Sequence, residues 1–151
     1  MHLVIINGSP RIQKYSNTDK IISSFVKGFC ENGNTYELYS ISNRSEWEDA
    51  KAAFAENTEI LIAIPLYVEN IPGILLEFME TLPVKEEQDT RISFILQSGF
   101  AEGCQLRCGE VFSKSMQILL QLMFRTFAKR SFKKVAKSWG CTRPITDRPY
   151  E

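Results

Sequence analysis

Gly8-Ser9-Pro10-Arg11 and, a few residues on, Ser16-Asn17-Thr18 gather three hydroxyls, an amide and a guanidinium into one short stretch. Hydroxyls and amides at the start of a helix, where backbone N–H groups lack intrahelical acceptors, suit a phosphate. The same residues also suit a tight turn followed by a capped helix, which needs no ligand. Spacing excludes two other phosphate loops. No G-x-x-x-x-G-K-[ST] run is present, and the next glycine after Gly8 is Gly28, so no G-x-G-x-x-G follows.

Two further segments carry chemistry. Pro65-Leu66-Tyr67-Val68 offers apolar and aromatic walls of the kind a flat ring system needs. Gln97-Ser98-Gly99-Phe100 offers backbone that another group can approach closely, because Gly99 has no Cβ. Other reactive residue types lead nowhere. Cys104-x-x-x-Cys108 is neither a redox C-x-x-C nor a zinc knuckle, and no compact cluster supports an iron–sulfur group. The positions where a C-x-x-x-x-x-R phosphatase loop needs arginine hold Tyr36, Glu110 and Lys114. His2 is the single histidine, which argues against a Ser-His-Asp triad or a histidine-ligated metal. No metal ligand set and no catalytic side chain are expected.

The three segments must be placed by the elements around them. Leu3–Ile6 and Glu59–Pro65 are short, continuous apolar runs ending in breakers, the pattern of strands buried on both faces. Tyr36–Ile41 alternates, and Arg91–Leu96 is a fourth strand run. Between them, Ile21, Ile22, Phe25, Val26 and Phe29 recur at helical spacing. Trp47, Ala50 and Phe54 do so within Glu46–Glu56, and Ile74, Leu75, Phe78 and Leu82 within Pro72–Leu82. Strict alternation of strand and helix predicts a doubly wound α/β fold with a parallel sheet. Strands near 2–6, 35–41, 58–64 and 91–96 should run in the order 2-1-3-4. Each chemistry-bearing segment then follows a strand, at the carboxyl rim where ligands bind in such sheets.

These three motifs in order, each ending a strand, resemble the NAD(P)H-dependent FMN reductase family of the flavodoxin-like superfamily. The resemblance covers roughly residues 1–108. It implies FMN as cofactor and NAD(P)H as co-substrate, with hydride passing through the flavin to a small-molecule or protein electron acceptor. It puts the FMN phosphate at Ser9, Arg11, Ser16, Asn17 and Thr18. The isoalloxazine ring lies beside Pro65, Leu66, Tyr67 and Val68, and its polar edge meets Ser98 and Gly99. It also implies a homo-oligomer, commonly a dimer.

Near Cys108 the sequence departs from that family, which continues to a fifth strand and a closing helix. Residues 1–103 carry a net charge of −7 and residues 104–151 a net of +7, within a chain whose total is zero. Phe112, Met116, Leu119, Leu120, Met123, Phe124 and Phe127 share a helical face, and Arg125, Lys129, Arg130, Lys133, Lys134 and Lys137 populate the remainder. We read 1–151 as one domain, with a family-like core over 1–108 and a basic amphipathic helical tail over 109–151. A divergent end, a truncation and a shifted reading frame would each produce this change. The helical span should cover about residues 111–137, its apolar stripe on the sheet or a partner subunit. No nucleic-acid partner is expected.

No secretory signal or apolar stretch of membrane-spanning length is present, so a cytoplasmic protein with reduced thiols is expected. Two alternatives to the flavin-dependent oxidoreductase stand beside it. One is an electron carrier that does not turn over NAD(P)H. The other is an inactive remnant whose tail mediates assembly.

Overall fold

The computed structural model describes residues 1–68, 70–83, 90–99 and 106–119. The elements are β1 (His2–Asn7), α1 (Asn17–Cys30), β2 (Thr35–Ser40), α2 (Trp47–Glu56), β3 (Glu59–Pro65), α3 (Gly73–Glu80), β4 (Arg91–Gln97) and α4 (Arg107–Leu119). Short 3-10 turns at Gln13–Tyr15 and Arg44–Glu46 lead into α1 and α2.

The four strands form one parallel sheet in the order β2-β1-β3-β4, the expected arrangement. Ile5 stands between Leu38 on one side and Leu61 on the other. Leu3, Val4, Ile5 and Ile6 are all buried, as are Ile60–Ile64. Parallel strands with apolar residues on both faces cannot leave either face in water, so helices must cover both.

On one face Val4, Ile6, Ile60, Ile62 and Ile64 pack beneath Trp47, Ala50 and Phe54 of α2 and Leu75 and Phe78 of α3. The Trp47 and Phe78 rings meet edge to face at 5.3 Å, a favoured geometry for the aromatic quadrupole. The Trp47 indole N–H donates to the Ile41 carbonyl at 2.9 Å, so its burial leaves no orphan donor. On the other face Leu3, Ile5, Leu61 and Ala63 pack with Ile22 of α1, flanked by Val26 and Phe29.

Arg44 ties the loop after β2 to α3. Its guanidinium makes two bonds to the Glu77 carboxylate, at 2.6 and 2.7 Å, and lies 4.6 Å from the Trp47 ring. That bonding holds the Glu77 carboxyl below its ordinary range and raises the Arg44 guanidinium.

Helix boundaries follow local chemistry. Ser16 caps α1 by accepting the Asp19 N–H at 3.2 Å. Gly33, at φ +73°, turns the chain from α1 into β2. Pro72 precedes the first turn of α3, and its carbonyl accepts the Leu75 and Leu76 N–H groups. The Arg107–Leu119 helix covers the first part of the helical span expected over 111–137. Residues 120–137 lie outside the described residues.

α4 sits close to the end of the sheet. A Cβ built at Gly109 would stand 3.1 Å from the Leu96 methyls and 3.2 Å from a Leu66 methyl. Among the described residues, no helix is long and apolar enough to cross a membrane.

The central packing contact is Phe78, fully buried between α3 and the sheet. Phe78→Ala should destabilise the chain by about 3–5 kcal/mol through lost burial and a residual cavity. Urea unfolding followed by far-UV circular dichroism measures this as a lower midpoint. An unchanged midpoint would mean that α3 does not anchor this face.

Candidate functional site at the carboxyl rim of the sheet

The loops after β1, β3 and β4 converge because hydrogen bonds tie each to the next. The first crosses β1 to β3: the Gly8 N–H donates to the Ala63 carbonyl at 2.8 Å. This approach is possible only for glycine. A Cβ at Gly8 would lie 2.7 Å from the Ala63 oxygen and 2.7 Å from Leu75 Cδ2. The second links β3 to β4: the Leu66 N–H donates to the Gln97 carbonyl at 2.7 Å. The third spans the first and last loops: the Thr18 hydroxyl donates to Gln97 Oε1 at 3.2 Å.

The first loop is organised from Asn7 outward. Asn7 Oδ1 accepts the Ser9 N–H at 3.1 Å, and Ser9 Oγ in turn accepts the Arg11 N–H at 3.2 Å. These local side-chain-to-backbone bonds hold a turn that secondary structure does not. Asn7 and Ser9 are buried, while the Arg11 side chain is exposed. Asn7 Nδ2 is buried with no partner among the described residues, an arrangement that marks a place where a further acceptor would be favourable.

α1 starts at this loop. Ser16 and Thr18 are buried, and Asn17 is exposed with its Oδ1 accepting Lys20 Nζ at 3.3 Å. The Asn17 and Thr18 N–H groups fall in the first turn, where no intrahelical carbonyl can reach them. Ser16 Oγ accepts from Asp19, and its own proton remains available to a ligand.

The apolar segment divides in two. Pro65 and Leu66 are buried, and Leu66 joins the core beside Gly109. Tyr67 and Val68 turn outward, 40% and 92% exposed. They stand on a tight reversal in which Tyr67 and Asn70 exchange backbone bonds at 2.8 and 2.9 Å. Val68 adopts φ +49°, a strained conformation for a β-branched residue of the kind that gathers at ligand sites. In the third loop Ser98 is half-buried, and a Cβ at Gly99 would meet nothing within 4 Å among the described residues.

The residues expected from the sequence lie at one rim: Ser9, Arg11 and Ser16 between β1 and α1, Asn17 and Thr18 in the first turn of α1, Pro65 at the end of β3, Leu66–Val68 just after it, and Ser98 and Gly99 after β4. Three others the sequence reading passed over: Gly8 as a contact to Ala63, Asn7 as the anchor of the first loop, and the Gln97 side chain. Gly8 was legible as a glycine in a turn, whereas its contact across the sheet depends on the β1–β3 register.

A groove of about 550 Å³ between β2 and α2 has a different character. Glu37, Asp49 and Glu56 line it together with His2 and Tyr39. Burial and the hydrogen bond to Glu37 raise the Tyr39 phenol above its ordinary range. An anion is disfavoured there and favoured at the α1 start.

No protein-family model matches this sequence, and neither does any curated protein. Solved structures do match. An NADH:FMN oxidoreductase (EMOB) in its apo form aligns with a TM-score of 0.66 at 12% identity, over 97% of this chain and 91% of that one. An FMN-dependent NADH-azoreductase from Bacillus anthracis, solved in complex with FMN, aligns with a TM-score of 0.62 at 16% identity, over 93% and 98%. An oxidoreductase from Corynebacterium diphtheriae aligns with a TM-score of 0.64 at 12% identity, over 93% of each chain. At these identities the likeness is one of fold, and the fold is flavodoxin-like.

Gly8→Ala should destabilise the chain by about 1–3 kcal/mol, because the added methyl meets a backbone oxygen that no rotamer change can move. Chemical denaturation of the variant reports this as a reduced midpoint, and an unaltered midpoint would show that the β1 loop can back away from β3.

Proposed function

We propose that this rim binds FMN and that the chain is an FMN-dependent oxidoreductase using NAD(P)H. The observation that carries the reading is the set of donors at the start of α1. The Asn17 and Thr18 N–H groups, in the first turn of α1, and the buried Ser16 hydroxyl, whose proton is left over, follow the loop that Asn7, Gly8 and Ser9 hold in place. That set fits a phosphate: the helix dipole favours a dianion there, and the donors need no rearrangement. Neighbours of the same fold are flavin enzymes by name, which supports the choice of FMN over another phosphate ester.

The residues divide the work by loop. Ser9, Ser16, Asn17 and the Thr18 N–H, with the exposed Arg11 guanidinium, bind the phosphate and fix the depth of the ligand. Tyr67 and Val68 stand beside the ring, while Pro65 and Leu66 buttress them from the core. Ser98 and Gly99 approach the polar edge of the ring, where the lack of a Cβ at Gly99 leaves room. A bound flavin supplies the hydride chemistry itself, accepting from a nicotinamide and passing reducing equivalents to an acceptor. The chain contributes position and shielding, and no side-chain acid or base is assigned. This reading carries with it a cytoplasmic dimer and an electron acceptor that is either a small molecule or a protein.

Purified protein should turn yellow on addition of FMN and then oxidise NADH or NADPH in the presence of an acceptor. Flavin binding without nicotinamide oxidation would point to an electron carrier instead. Ser16→Ala should weaken FMN by roughly 1.5–3 kcal/mol, the value of a hydrogen bond to a charged group, and leave riboflavin nearly unchanged. Fluorescence titration of the two flavins makes the comparison, and equal losses would remove the phosphate from this helix.

A further inference from the structure

Gln97, the last residue of β4, bonds to the start of α1 and to the second loop, and leads directly into the third. Its carbonyl accepts the Leu66 N–H of the second loop at 2.7 Å. Its Oε1 accepts the Thr18 hydroxyl at the start of α1 at 3.2 Å. Its Nε2 lies 3.4 Å from the Ser98 carbonyl of the third loop. Thr18 is buried, and its proton points at Gln97 across 79 positions of sequence. A hydroxyl has one proton, so while Thr18 donates to Gln97 it cannot donate to a phosphate.

We infer that Thr18 and Gln97 are positioning residues that join the phosphate-binding end of the site to the ring-binding end. The inference deepens the FMN reading and rests on it. The Thr18 side chain braces β4 while its backbone N–H faces the ligand. Through Gln97 the start of α1 holds the second and third loops in the arrangement the ring requires. Cutting the link lets these loops sample other arrangements. Apparent affinity then falls by the fraction of time the competent arrangement is lost, for any ligand that uses the ring subsite. Ser16 differs: its Oγ caps α1 through the Asp19 N–H, and its remaining proton is assigned to the phosphate and not to Gln97.

The test compares FMN with riboflavin, which has the ring and no phosphate. Thr18→Val should weaken both flavins by the same factor, about fivefold, the value of one neutral hydrogen bond. Thr18→Ser, which keeps the hydroxyl, should restore both. Gln97→Leu should match Thr18→Val, and the double variant should bind no worse than either single one, as for two halves of one interaction. Loss confined to FMN would make Thr18 a direct phosphate ligand and overturn the inference, as would losses that multiply in the double variant. Amide hydrogen exchange gives a readout without flavin: Leu66 should lose protection in Thr18→Val and keep it in Thr18→Ser. Unchanged protection in Thr18→Val overturns the coupling. A wild type that binds neither flavin rejects the FMN reading, and the exchange measurement still decides the coupling.

Discussion

The structure depends on one constraint: β1 must be dry on both faces. Val4, Ile5 and Ile6 are fully buried, with Ile5 held between Leu38 and Leu61. A parallel strand with apolar side chains above and below needs helices on both faces, and β2 and β3 take up its backbone hydrogen bonds on either side. Parallel pairing also sends every strand out at the same end. The loops after β1, β3 and β4 therefore share one rim without any contact between their side chains having to arrange it.

Sharing a rim is not enough to make a site, and the further closeness comes from a few backbone contacts. Gly8 brings the first loop against β3 by leaving out a Cβ that would sit 2.7 Å from the Ala63 oxygen. Leu66 and Thr18 both bond to Gln97, so the second loop and the start of α1 are fastened to the end of β4. Electrostatics then separates this rim from the groove between β2 and α2. The start of α1 presents N–H groups and the loop before it an exposed arginine, whereas the β2–α2 groove presents three carboxylates.

Much of this was legible in the sequence, for physical reasons that differ by element. Leu3–Ile6 and Glu59–Pro65 are continuous apolar runs closed by turn formers, and such runs have few alternatives to a buried strand. Ser16 was legible both as a cap and as a phosphate donor, and in the structure it caps α1 with its proton left over. The fate of Leu66 was not legible. Its neighbours Tyr67 and Val68 share its apolar character, and only the bond from Leu66 to Gln97 and the turn at Val68 decide which of the three faces inward. Gln97 itself looked like the first residue of a turn. Its part in joining three loops depends on contacts far apart in sequence, which spacing does not encode.

The central claim is that the carboxyl rim, and not another surface, receives the flavin. Amide chemical-shift mapping during an FMN titration tests it most directly, because each loop reports separately. Shifts are expected at Ser9, at Arg11 to Thr18, at Tyr67 and Val68, and at Ser98 and Gly99. The amides of Glu37, Asp49 and Glu56 should stay in place. Shifts centred on the β2–α2 groove, or no shifts at saturating FMN, would contradict it.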